Sequence, residues 1–219
     1  MVQIRGIDLI NACKVATIAC IAGYAYHFGF QTMRAWMYVA LHGTYLLWWF
    51  MHQRLSPTWG PTVFGPGDLP VVGILFVFLA VGPGYSLPGY YAFKSTDEPA
   101  PWVVAACVVM FAWGSLINCA ADFYKDGAKS AKPGAVVTSG PFRLARHINW
   151  FGDWLRYASF TAISGAPPAP LACFPLAWTL FFNLASLKER DAGQAKRGGA
   201  AGEKYLATTP AVIPWRLFF

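Results

Sequence analysis

The sequence predicts an all-α integral membrane protein of about six transmembrane helices, with a basic cytoplasmic loop and a C-terminal tail forming a site on one side. Three observations predict it. The chain of 219 residues is 56% hydrophobic and only 12% charged, against roughly 25% charged residues in soluble domains. Its apolar residues gather into stretches near the roughly 20 residues that a crossing requires. Its cations gather in alternate connections, as the positive-inside rule demands. The length suits one domain over residues 1–219, its second half (about 102–219) carrying the densest polar motifs.

The spans fall at Ile7–Gly29, Ala35–His52, Leu69–Tyr91, Trp102–Phe123, Asn149–Gly165 and Pro170–Ser186. Asp8 in the short start, and the lack of a persuasive cleavage site, make the first a retained span rather than a signal peptide. In the third, Gly82-Pro83-Gly84 and Pro88-Gly89 interrupt helical geometry. A kinked span, or a shorter one followed by a re-entrant piece, is expected there. Glu98–Pro101 and Ala166–Pro170 are tight Pro-rich entries. Trp and Tyr cluster at span ends as an aromatic belt, and Trp48, Trp49, Trp150 and Trp154 read as belt or core.

Six spans place both termini and the loops Met51–Asp68 and Tyr124–Ile148 on one side. That side carries most of the Lys and Arg residues, Arg5, Arg54, Lys125, Lys129, Arg146, Arg190 and Arg197 among them. The other side has only Arg34 and Lys94, while Lys14 and Arg156 lie inside spans. Both termini are therefore expected in the cytoplasm. The net charge of +7 fits this topology and an anionic cofactor, and no nucleic-acid motif is present. Five cysteines without CxxC spacing read as small buried hydrophobes, with neither a disulfide framework nor a metal site.

The densest polar pattern runs from Asn118 to Trp154. Asn118 and Asp122 are four apart and share a helix face at the end of the fourth span. Asn149 and Asp153 repeat that spacing at the start of the fifth. Two amide–carboxylate pairs flanking a basic loop suit a ligand. Capping is the alternative, with Asn149 as N-cap and Asp153 near a helix N-terminus. The loop offers Lys125, Lys129, Lys132, Arg143, Arg146 and His147 between Lys132-Pro133-Gly134 and Ser139-Gly140-Pro141 turn signals. Cations among backbone N–H groups suit phosphates; plain positive-inside charge is the alternative. After the sixth span, Arg190 and Asp191 offer a phosphate clamp and an acceptor. The closing Ile213–Trp215 is an apolar piece that packs on the bundle or lies in the interface. In the second span, Tyr38 and His42 are four apart, with Thr44 and Tyr45 following. They share a face suited to proton relay, or form a satisfied core.

The order Asn118…Asp122, Lys132-Pro133-Gly134, Thr138–Phe142, Arg146-His147-Ile148-Asn149-Trp150-Phe151-Gly152-Asp153, Arg190-Asp191 and a closing Ile213-Pro214-Trp215 resembles the steroid 5-alpha-reductase and sterol reductase family. His42-x-Thr44-Tyr45, with Arg54 and Pro57, resembles that family's second conserved region. The resemblance covers about half the chain. It implies an NADPH-dependent reduction of a carbon–carbon double bond in a membrane lipid. It assigns Asn118, Asp122, Asn149, Asp153 and Arg190 to the cofactor, with Arg54 and Lys129 matching as well. Arg146, His147 and Asp191 join the cofactor set from the loop and tail. One departure stands out. The steroid reductases pair a membrane Glu with a Tyr, and Asp8 is the only acidic residue here before Asp68. Tyr38, His42 and Tyr45 become the candidates for the proton donor, and a sterol, isoprenoid or enoyl lipid is as good a substrate as a steroid.

A related group, the isoprenylcysteine carboxyl and phospholipid methyltransferases, shares the GPFR…RH…G signature and implies S-adenosylmethionine instead. Its usual Pro after RH and its Glu-Glu pair are replaced here by Ile148 and by Glu189-Arg190-Asp191, which favours the reductase. A non-catalytic membrane subunit that keeps this architecture is the third reading.

Overall fold

The computed structural model describes residues 2–56, 66–165 and 171–215. The expected Pro-rich entry at 166–170 and the residues Pro57 and Arg216 lie outside them. The chain divides into two compact units, Met1–Val108 with Ala158–Leu176, and Val109–Tyr157 with Ala177–Phe219.

The architecture is helical. α1 spans Gly6–Phe28, α2 Met33–Leu55, α3 Val71–Val81, α4 Pro83–Lys94, α5 Pro101–Ala131, α6 Ile148–Ile163 and α7 Phe174–Thr208. Among the described residues three stretches are long and apolar enough to cross a membrane: Gly6–Phe28, Val71–Lys94 and Pro101–Ala131. A helix also stands at each of the other expected spans. α2 carries Arg34, His42, His52 and Arg54, α6 has only 16 residues, and α7 becomes highly charged after Ser186. Large apolar side chains lie on the outside, among them Val15, Leu47, Phe76, Leu79, Val109, Trp113 and Leu116. A soluble fold rarely tolerates so much exposed apolar surface. This is an all-α protein of membrane type.

One small element was not legible. β1 (Val2–Arg5) pairs antiparallel with β2 (Pro66–Leu69), Val2 opposite Leu69 and Arg5 opposite Pro66. Pro-Gly-Asp is poor strand material, and nothing local announces pairing across some 60 residues.

In the first unit, the expected break of the third span falls between α3 and α4, at Gly82. Pro83 has no N–H to continue the ladder. The Gly82 carbonyl accepts from Thr17 Oγ1 at 3.0 Å, and the same hydroxyl lies 3.0 Å from the Cys13 carbonyl. Neighbouring helices thus satisfy the polar groups that a broken span exposes. The core here is aromatic. His42 stacks on Phe160 with centroids 4.5 Å apart and planes 9° off parallel, and Tyr38 meets the same ring at 6.1 Å.

In the second unit, α5 and α6 approach at a pair of glycines. A Cβ on Gly114 would lie 2.6 Å from the Gly152 carbonyl oxygen, and one on Gly152 would lie 2.7 Å from that of Gly114. Small residues let membrane helices bring their backbones into contact. A cluster of Ala121, Phe142, Ala145 and Ile148 continues the packing toward the loop, joined by Ile117, Val137, Leu144 and Phe151. The 3₁₀ turn Gly140–Arg143 opens on Gly140 at φ 58°, where an added Cβ would meet the Tyr124 ring at 2.6 Å. Only glycine satisfies both the left-handed backbone and that contact.

Candidate functional site

The glycine crossing sets the register of the polar residues above it. Asn118 and Asp122 follow Gly114 by one and two turns of α5; Asn149 and Asp153 flank Gly152 on α6. The pairs interlock across the helices. Asn118 Nδ2 donates to Asp153 Oδ1 (3.3 Å) and to the Asn149 carbonyl (3.2 Å), while Asn149 Nδ2 donates to Asp122 Oδ1 (3.3 Å). Each amide therefore serves the other helix's carboxylate. Asn149 makes this contact from the first turn of α6, where its side chain bonds across to α5. Asn118 and Asp122 are buried, and Arg156 Nη1 stands 3.7 Å from Asp153 Oδ1.

A second cluster forms where the loop meets the tail. Arg146 holds Asp191 in a fork, Nε to Oδ1 at 3.2 Å and Nη2 to Oδ2 at 2.7 Å, the planar geometry for which guanidinium is suited. Its Nη1 donates to the carbonyls of Leu206 (2.9 Å) and Thr209. The Arg146 and His147 backbone N–H groups donate to the carbonyls of Pro210 and Ala211, both at 2.9 Å. Burial pushes the His147 imidazolium pKa down to about 4, against the opposing pull of Asp191. The ring is thus neutral at pH 7 and donates Nε2–H to Asp191 Oδ1 at 3.2 Å. His147 also stacks on Trp150, centroids 4.0 Å apart, and the Arg190 guanidinium sits 5.5 Å from the centre of the same indole. Tyr205 OH donates to the Phe142 carbonyl at 2.7 Å, and burial drives its phenol up to about 12.

Cations complete the unit. Lys125 lies in the electrostatic field of Lys129, Arg190 and Arg197, and of Asp122. Lys125 thereby links the interlocked pairs to the basic residues of loop and tail. Arg190 is exposed, its Nε 3.3 Å from Ser186 Oγ.

The second unit thus gathers Asn118, Asp122, Lys129, Arg146, His147, Asn149, Asp153, Arg190 and Asp191. Arg146, His147 and Asp191 have polar atoms engaged with one another and with the tail, while Arg190 is exposed and Lys125 and Lys129 are half-buried. Arg54 is exposed at the end of α2, in the first unit. Tyr38, His42 and Tyr45 are buried there as well. Tyr38 OH and His42 Nδ1 are 2.6 Å apart, and Tyr45 OH accepts from Lys14 Nζ at 2.8 Å. Gly89 makes room for Tyr38, since a Cβ there would fall 2.3 Å from the ring. Sequence reasoning passed over Gly114 and Gly152, which align the site, and the carbonyls of residues 206–211, which hold the loop. Glycines in two apolar stretches, each four residues or fewer from a motif Asn, are the signal that was available.

Among curated proteins none matches the chain. The family described as protein of unknown function DUF1295 matches residues 72–205. That stretch contains every polar residue of the second unit's clusters from Asn118 to Tyr205, and excludes Tyr38, His42, Tyr45 and Arg54. The match covers more than half of the sequence, and the chain belongs to the DUF1295 family.

Proposed function

We propose that this protein is a membrane-embedded, NADPH-dependent reductase of a carbon–carbon double bond in a lipid. The observation that carries the reading is the convergence of Lys125, Lys129, Arg190 and Arg197 beside the interlocked Asn118–Asp153 and Asn149–Asp122 pairs. Several cations around one buried acidic–amide patch suit a ligand with phosphates at one end and hydroxyl or amide groups at the other. Those residues fit a dinucleotide, which when bound supplies the hydride. Arg190 and the lysines would hold its phosphates, and the Asp122 and Asp153 carboxylates would accept from ribose or carboxamide groups. Trp150, stacked on His147, lies 5.5 Å from the Arg190 guanidinium and helps to position it. In the first unit, the Tyr38–His42 pair holds a proton between phenol and imidazole and is the candidate donor, with Tyr45 beside it.

The same charge argues against S-adenosylmethionine, whose sulfonium is itself cationic and has no phosphate for the cluster to grip. The six-span topology with both termini in the cytoplasm belongs to this reading, because it brings the basic loop to the compartment that supplies the nucleotide.

The test is a titration of the purified full-length protein with NADPH and with S-adenosylmethionine, followed by cofactor fluorescence and calorimetry. Saturable binding of NADPH alone is expected. Binding of S-adenosylmethionine alone would transfer the protein to the methyltransferases, and binding of neither would leave a non-catalytic subunit. Arg190→Ala should weaken NADPH more than NADH; an equal loss would reject its grip on the additional phosphate.

A further inference from the structure

A cation with no anion among the described residues sits inside the first unit. Lys14, on α1, is 2% exposed. Its ammonium carries three donors, of which one is given to Tyr45 OH at 2.8 Å. Its other neighbours are aromatic faces: the rings of Tyr45, Trp49 and Tyr85 lie 4.6, 5.1 and 5.2 Å from Nζ. None of the described carboxylates of this unit pairs with it. Asp8 bonds Arg5, and Glu98 accepts from the Met33 N–H. Beside Tyr45, its centroid 5.8 Å away, lies His42, fully buried, whose Nε2 has no hydrogen-bond partner among the described residues.

A buried charge without a counter-ion is costly. Cation–π contacts with three rings offset part of that cost, yet two ammonium donors have no acceptor among the described residues. Ionisable groups inside apolar helices are retained where they meet a ligand or an ion. Among the candidates for a purely structural role this one is poorly suited, because a Met of similar length would fill the same space without the charge.

We propose that Lys14, with the Tyr45 hydroxyl and the imidazole of His42, forms a binding site for the oxygen of an amphipathic lipid, a carbonyl or a carboxylate. The ammonium supplies the charge and the donors, the Tyr45 phenol fixes its position, and the Trp49 and Tyr85 rings form an apolar wall suited to the carbon adjoining that oxygen. His42 Nε2 completes the polar rim. The ligand is specified by its chemistry: one hydrogen-bond-accepting oxygen at the end of a hydrocarbon body, drawn from the bilayer. The site uses none of the second unit's cofactor residues, and it shares His42 and Tyr45 with the candidate proton donor of the proposed reductase.

The experiment uses the full-length protein in detergent and three probes of equal chain length, a long-chain carboxylate, the corresponding methyl ketone and the corresponding alkane, followed by calorimetry and tryptophan fluorescence. The wild type is expected to bind the carboxylate, the ketone or both saturably, and the stronger of the two identifies the oxygen. Lys14→Met should weaken that binding at least tenfold while keeping its thermal unfolding cooperative, and Lys14→Arg should restore part of it. Tyr45→Phe, which keeps the ring, should weaken the ketone several-fold and serves if Lys14→Met does not fold. The alkane should bind wild type and variant alike. Equal binding of the oxygenated probes to wild type and Lys14→Met, or saturable binding of neither, overturns the proposal and leaves Lys14 a caged core residue. NADPH titration of the same preparations separates the two readings: intact NADPH binding with no lipid discrimination sinks only the Lys14 site, and the converse sinks only the reductase.

Discussion

At the level of single residues, the Arg146–Asp191–His147 group is the most tightly coupled in the second unit. Arg146 and Asp191 side chains are 11% and 20% exposed, so removing one partner strands the other in a poorly solvated place. Asp191→Ala should therefore destabilise by about 3 kcal/mol, in the range for breaking a buried pair, read as a lowered thermal midpoint in detergent. His147 adds a pH signature. Its pKa falls from 6.5 toward 4 on folding because burial disfavours the imidazolium. Between those values the unfolded chain binds the extra proton, so stability is fully present above about pH 6.5 and declines as pH falls toward 4. The span corresponds to about 3 kcal/mol at most. His147→Gln, which is neutral throughout, should flatten the pH dependence of the midpoint across that window; an unchanged slope would assign the acid sensitivity to other groups.

Among the helices, the contact of α5 with α6 decides whether the polar pairs meet. Gly114→Ala places a methyl against the facing backbone and should cost about 1–3 kcal/mol by overpacking, with loss of NADPH affinity as the Asn118–Asp153 contact opens. Gly127→Ala, on the same helix with nothing within 4 Å of its added Cβ, should be neutral or stabilise by up to about 1 kcal/mol. Thermal melts and cofactor titrations of the two variants separate register from helix propensity. If both behave alike, the glycine contact does not align the site. This is also where the sequence was readable and where it was not. Apolar length announced α5, and Gly82-Pro83 announced the break between α3 and α4. The i, i+4 spacing put Asn118 with Asp122 on one face, but the actual partners are Asp153 and Asn149 on the facing helix. Spacing along one helix carries no information about which turn of another helix it meets; the two glycines do. The β1–β2 ladder and the tail carbonyls that hold Arg146 are long-range backbone contacts, indifferent to side-chain identity, and leave little trace in composition.

For the molecule as a whole, the apolar exterior and the spacing of cations along the sequence make a topological prediction, that of six crossings. A reporter that fluoresces only in the cytoplasm, fused in turn to each terminus, should fluoresce in both fusions. A signal at one end alone would mean an odd number of crossings, and the N-terminal strand and the C-terminal tail would then face different compartments. Asn149→Ala and Asp153→Ala, tested in the same membranes, should each abolish NADPH binding while the protein remains folded. Unchanged affinity in both would reduce the interlocked pairs to helix–helix adhesive.

The loop ahead of α6 is fastened by carbonyls from residues 206–211, some 60 positions further along. A ribosome must therefore have delivered those residues before the entry to α6 can lock. During synthesis, α5 and α6 wait with the polar stretch between them not yet tied to the tail. Chains halted before residue 206 should reach the membrane yet stay open to proteases there, and the segment 206–211, where α7 ends, is in this sense the latch that closes the second unit.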